Sequence, residues 1–155
     1  MEDVRKVASY ICLRYQKEFG EPIDEMKLHK LLYLAQRECI IQTGEPLFRD
    51  KFEAWRYGPV LVSIRHLFRT NELKDPISKE AEEKYKTVFD KIFSSYAKKS
   101  SWSLSVLTHG EYSWRKAREG YEPEATCSVE MKDEDIKVDA QRIKERRALL
   151  KFFRN

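Results

Sequence analysis

No apolar run in the 155 residues approaches the roughly 20 that crossing a bilayer requires. The opening MEDVRK has no apolar signal-peptide core. The three cysteines, Cys12, Cys39 and Cys127, stand far apart without a C-x-x-C pair, so convergent thiolate ligation of zinc is not expected. Their odd number fits a reducing compartment, and core packing is the expected role of Cys12 and Cys39. Also missing are a glycine-rich phosphate loop, H-E-x-x-H, G-x-S-x-G and a dinucleotide fingerprint. These absences point to a cytoplasmic protein with no cofactor and no metal, and not to an enzyme.

What is present is a folding chain. Hydrophobic residues make up 41% and aromatics 12%, enough for a packed core, and at 18.5 kDa one domain over residues 1–155 is expected. The charged fraction of 36% suits helices with solvated faces. Net charge is +4, but seven Lys or Arg against two acids fall between Lys137 and Asn155. That surplus exceeds the whole-chain value, so the rest is close to neutral. A basic last helix can meet nucleic acid, an acidic protein or water.

Periodicity predicts mainly helix. Val4, Val7, Ala8, Ile11, Cys12, Tyr15 and Phe19 share one face, with Gly20 and Pro22 as the stop. Asp24 is placed to cap a second helix carrying Leu28, Leu31, Leu32, Ala35 and Cys39, and Gly44 to end it. Extra apolar positions at Leu34, Ile40 and Ile41 mark this helix as central. Residues 51–57 alternate loosely and predict at most a short strand or extended segment. Gly58-Pro59 is expected to break it, with Pro59 opening the next helix through Phe68. Ser78 caps a helix with a stripe from Tyr85 to Tyr96. A shorter piece around Leu104–Leu107 follows, then a polar acidic loop and a final amphipathic helix with Ile136, Ala140, Ile143, Arg147 and Leu150. The fold class expected is a mainly α, compact single-domain helical bundle.

Catalytic groupings are sparse. His109 and Glu111 are close in sequence but lack a third partner and a nucleophile, so a turn or cap network is expected there. His29 reads as lying on the polar side of its helix and His66 on an arginine-flanked face. Trp55-Arg56-Tyr57 and Trp114-Arg115 are more suggestive, because aromatics and arginine anchor protein interfaces. Both Trp55 and Trp114 have a second reading as core plugs.

The chain resembles the Panacea, or SocA-like, antitoxin domain family found in phage-associated proteins. The resemblance rests on KLHKLLYLAQ (27–36), Gly44-x-Pro46-Leu47-Phe48, EAWRYGPV (53–60) and LSVLTHGEYSWRKAR (104–118). His29 replaces the commoner Gln, no Pro precedes Trp114, and the Ile-Pro wording before the last helix is missing near Ala125. The resemblance implies a mainly helical antitoxin, encoded beside a toxin in bacteria or prophages, that neutralises its partner by direct binding. In one branch it implies an adaptor delivering the toxin to a cytoplasmic protease. Candidate partner-binding residues are Trp55, Arg56, Tyr57, Trp114 and Arg115. The alternative is a nucleic-acid-binding regulator using the basic last helix; no membrane partner is expected.

Overall fold

A helix packed on every side organises the molecule. The computed structural model describes residues 1–154. Among them, α1 (Val4–Phe19) is followed by α2 (Glu25–Thr43), the antiparallel pair β1 (Glu53–Trp55) and β2 (Gly58–Val60), and α3 (Val62–Arg69). Then come α4 (Lys79–Lys84), α5 (Lys86–Ser95), α6 (Ser101–His109), α7 (Tyr112–Ala117) and α8 (Asp133–Arg154). The fold is mainly helical, as the periodicity predicts.

α2 forms where expected. The Asp24 carboxylate accepts the Lys27 N–H at 2.8 Å, and Gly44 closes the helix in the left-handed region at φ 82°. Every residue from Lys27 to Ile40 is buried, because α1, α3, α5, α6, β2 and α8 all pack against it. A helix so enclosed has no solvated face, so its polar side chains must find partners inside. Gln36 is fully buried; its carbonyl accepts the N–H groups of Leu47 and Phe48, and its amide donates to the Phe48 carbonyl. Lys27 donates to the Ala97 carbonyl and the Tyr15 hydroxyl. Glu38 takes both guanidinium nitrogens of Arg147, at 2.8 and 2.9 Å, which bolts α8 across α2.

Three boundaries differ from expectation. Pro59 lies in β2, paired with Ala54, and the helix begins at Val62 with no side-chain cap. A two-residue hairpin at Arg56-Tyr57 competes successfully with helix here, and a two-stranded ribbon tolerates a proline that offers no N–H. The stripe from Tyr85 to Tyr96 belongs to α5, but Tyr85 itself is the joint between α4 and α5. The polar loop after α7 is partly ordered as a third strand-like segment. Ala54 donates to the Val129 carbonyl, Met131 donates to the Phe52 carbonyl, and Glu53 bridges Glu130.

Along α8, Ile136 and Ala140 are buried as expected, whereas Leu150 is 52% exposed. The unexpected inward residue is Asp139. Its carboxylate accepts the N–H groups of Tyr112 and Ser113, capping α7 from a different helix, since Glu111 makes no side-chain cap of its own.

Candidate functional site

The hairpin stands out from the helices and makes one wall of a groove. β1 is held down by two side chains from behind. The Trp114 indole donates to the Trp55 carbonyl at 2.8 Å, and Arg118 donates to the Ala54 carbonyl at 2.9 Å. Arg118 is buried and also reaches the Ala125 carbonyl at 2.8 Å, tying the 119–131 loop to the strand. At the tip, Ser105 donates to the Tyr57 carbonyl at 2.5 Å, anchoring the turn to α6. Gly58 sits at φ 115°, a backbone conformation that side-chain-bearing residues rarely adopt.

Between this hairpin, the start of α2 and α3 lies a groove of about 500 Å³. Trp55 and Tyr57 line it beside Lys30, Arg56, Arg65 and Arg69, with Glu25 as the single carboxylate of the lining. Arg65 packs over the Trp55 ring at 5.1 Å. Glu25 accepts from Arg65 and Arg69, each at 3.0 Å, and from His29 at 3.1 Å. Burial alone would raise the Glu25 pKa, but Arg69, His29 and Arg65 together outweigh it and hold the carboxyl below its ordinary range. Burial also pulls the Lys30 ammonium down to about 8. A larger groove of about 800 Å³ between α1 and the α4–α5 joint is balanced in charge, with Arg14, Lys17, Lys79 and Lys86 facing Glu18, Glu82, Glu83 and Asp90. The hairpin groove differs in carrying four cations against one carboxylate.

His29 is 1% exposed, not on a solvated face as its lysine neighbours suggested. Its Nδ1 lies 3.2 Å from the Leu61 N–H and therefore accepts, which leaves Nε2 as the protonated nitrogen donating to Glu25. Burial, helped by the charge of Lys30, pushes its pKa down to about 4. The contact with Glu25 is thus a hydrogen bond from a neutral ring and not an ion pair. A group with a folded pKa below its unfolded value of 6.5 makes the unfolded chain bind more protons between pH 6.5 and 4. Stability is expected to fall by about 3 kcal/mol as pH drops through that window. His29→Gln removes the titration while its amide can serve the same Leu61 N–H. Urea midpoints measured from pH 7 to pH 4 check this; an unchanged slope in the variant contradicts it.

The structure divides the expected binding residues. Arg56 and Tyr57 are exposed at the hairpin tip, the guanidinium 4.9 Å from the ring centre, and Trp55 is half-buried in the groove wall. Trp114 is buried, stacked on His109 at 4.4 Å between His109 and Arg118, so it supports the hairpin from beneath and a partner would not meet it directly. Arg115 is exposed, its Nε donating to the His109 carbonyl. The side chains of His109 and Glu111 go to different partners, His109 to Trp114 and Glu111 to Arg37 and Tyr33. Trp102 was not apparent as a site residue. It is 59% exposed, packs 5.8 Å from Tyr57, and is followed one turn later by exposed Val106. The signal was present, since Trp102 and Val106 interrupt a helix whose inward positions are Leu104, Ser105 and Thr108. Of the seven basic residues between 137 and 155, Arg147 is committed to Glu38 and Arg142 lies over the Tyr112 ring at 5.1 Å.

In class this is a mainly helical domain whose most elaborated surface is a hairpin-edged groove. The family is narrower: residues 28–115 match the model described as Antitoxin SocA-like, Panacea domain, and the chain belongs to that family. The matched span runs from α2 through the hairpin to α7 and contains most of the groove. Antitoxin SocA of Caulobacter vibrioides (strain NA1000 / CB15N) is 36% identical over 69 residues, covering 44% of this chain. The alignment spans 36% of that relative's own length, so about a third of it is represented. No solved structure matches the chain. Among the described residues, no helix is long and apolar enough to cross a membrane.

Proposed function

We propose that this chain is an antitoxin that neutralises a cognate toxin, encoded nearby, by direct protein–protein binding. The observation that carries the reading is the exposed aromatic pair Tyr57 and Trp102, 42% and 59% accessible, beside a groove with excess positive charge. Large exposed aromatics backed by a fixed scaffold are what interface centres are made of, since each buries much area with little loss of rotamer freedom. Family membership and the likeness to Antitoxin SocA support the antitoxin role. The tip residues Arg56, Tyr57 and Trp102 form the energetic centre. Arg115, exposed and held by the His109 carbonyl, is assigned to the polar rim. A standard interface buries about 1,600 Å² in total, within reach of this face.

Co-expression with the neighbouring toxin gene tests the reading. Wild type restores growth, and Tyr57→Ala with Trp102→Ala weakens the complex by roughly 2–4 kcal/mol, enough to abolish rescue. Both residues are solvent-facing, so the melting temperature stays close to wild type. Growth restored equally by the double variant would remove the interface from this face. Immunoblotting of the toxin separates two forms of neutralisation. Steady toxin levels mean occlusion; levels that fall only with a cytoplasmic protease present mean delivery.

A further inference from the structure

Four cations are buried in the described residues, and three of them are well provided for. Lys27 has two acceptors and the Tyr15 ring, Arg37 has the Glu111 carboxylate, and Arg118 has four backbone carbonyls. Lys30 is the exception. It is 1% exposed, and its ammonium, with three N–H groups, has a single acceptor, the Pro59 carbonyl at 3.1 Å. The nearest carboxylates, Glu25 and Asp24, act on it only through space. An ammonium held out of water without a counter-ion is a costly thing for a fold to retain.

Lys30 forms part of the groove lining from beneath the hairpin, which packs down onto it at Gly58. Gly58 lies above it, and a Cβ there would come within 2.6 Å of Lys30 Cε and 3.2 Å of Nζ. The absence of a side chain at that position lets the hairpin backbone approach Lys30 and Thr108 closely, with no Cβ between Lys30 and the strand. At the mouth, Arg65 and Arg69 each use one nitrogen on Glu25 and retain their other donors. One carboxylate shared among His29, Arg65 and Arg69 leaves the surround positive even before Lys30 is counted.

We infer that this groove seats an acidic segment of the partner toxin, one carboxylate pairing with Lys30 at the floor, neighbouring acids meeting Arg65 and Arg69, and Trp55 and Tyr57 flanking the chain. The inference rests on the antitoxin reading and sharpens it by naming the chemistry of the bound segment. The groove of about 500 Å³ has room for the few acidic side chains this seating requires. Nucleic acid fits less well, because a phosphate backbone needs cations spread along a track, whereas these converge on one point with Glu25 among them.

Fluorescence anisotropy with a fluorescein-labelled decapeptide of Asp and Glu around a central Trp tests the inference. Its Asn/Gln counterpart and a twelve-residue oligothymidylate serve as comparison probes. Wild type is expected to bind the acidic peptide at least ~10-fold more tightly than either comparison probe. Lys30→Met, which keeps the apolar stem, lowers that affinity by about 10-fold or more, with a melting temperature no lower than wild type because an unpaired charge is removed. Arg65→Gln with Arg69→Gln, both more accessible, also lowers it, with the melting temperature measured alongside because Glu25 then keeps only His29 as a partner. Equal binding of the amide peptide, equal or tighter binding of the oligonucleotide, or wild-type affinity in Lys30→Met overturns the inference. The same variants in the co-expression assay separate the two levels. Rescue that survives Lys30→Met but not Tyr57→Ala with Trp102→Ala removes the groove and keeps the antitoxin. Failure of the wild type to rescue removes the antitoxin reading itself.

Discussion

Arg37→Met is expected to lower stability by about 3–5 kcal/mol, roughly 10 °C in melting temperature for a chain of this size. Arg37 is 1% exposed, and its guanidinium bonds Glu111 at 2.7 Å and the Tyr96 hydroxyl at 3.0 Å. Behind Glu111 stands a crowded acceptor set. The Tyr33 hydroxyl, fully buried, lies 2.7 Å from Glu111 and 3.0 Å from Asp139, yet has one proton to give. Two carboxylates around one hydroxyl repel each other, and Arg37 is the charge that offsets them. Even with it, burial keeps the Glu111 pKa above the usual carboxylate range, opposed by Arg37 and reinforced by the negative charge of Asp139. Without the cation the pKa rises further. A carboxyl whose folded pKa exceeds its unfolded value loses stability as pH climbs between the two. The deficit of Arg37→Met is therefore expected to be smaller at pH 5 than at pH 8. Arg37→Met with Glu111→Gln removes both charges and recovers much of the loss. Chemical denaturation at the two pH values measures all of this; a single-variant loss below 1 kcal/mol contradicts it.

The second large effect falls on the hairpin. Gly58→Ala introduces a Cβ 2.6 Å from both Lys30 Cε and Thr108 Oγ1, at φ 115°. Steric overlap and backbone strain add, and a loss of about 2–4 kcal/mol is expected. Gly20→Ala is the proper comparison, since Gly20 also has positive φ, 74°, but meets nothing within 4 Å. It isolates the strain, at about 1 kcal/mol. Because the Gly58 substitution also displaces the Tyr57 turn, toxin rescue should fail in Gly58→Ala even at temperatures where the chain is folded. Gly20→Ala should leave rescue intact. Thermal melts alongside the growth assay decide; equal costs at the two glycines would mean that the contact with Lys30 and Thr108 carries no energy.

The helices were largely legible in the sequence because their signals are local. Asp24, Gly44 and the leucines between them state where α2 starts, stops and what it buries, and Gly20 ends α1 as read. The second strand was hidden by Pro59, which locally favours a helix start and enters a ribbon only because β1 is already held by Trp114 and Arg118. The polar interior was hidden for a different reason. Tyr33 meets partners 78 and 106 positions away, and Arg37 meets one 74 positions away. No window of sequence contains such a network. Charged residues such as Lys30, Arg37, Glu38 and Asp139 read as solvated until the chain folds around α2. The site was partly visible: Trp55-Arg56-Tyr57 stood out as candidate anchors, but the hairpin that presents them was not read, and only packing separates Trp114 beneath it from Trp102 beside it.

Toxin recognition on the hairpin and α6 is the central proposal. Hydrogen–deuterium exchange of this chain, alone and bound to the product of the neighbouring toxin gene, tests that placement most directly. Protection on binding is expected over residues 55–69 and at the start of α6 around Trp102–Val106. Protection confined to α8, with the hairpin exchanging as in the free chain, would contradict it.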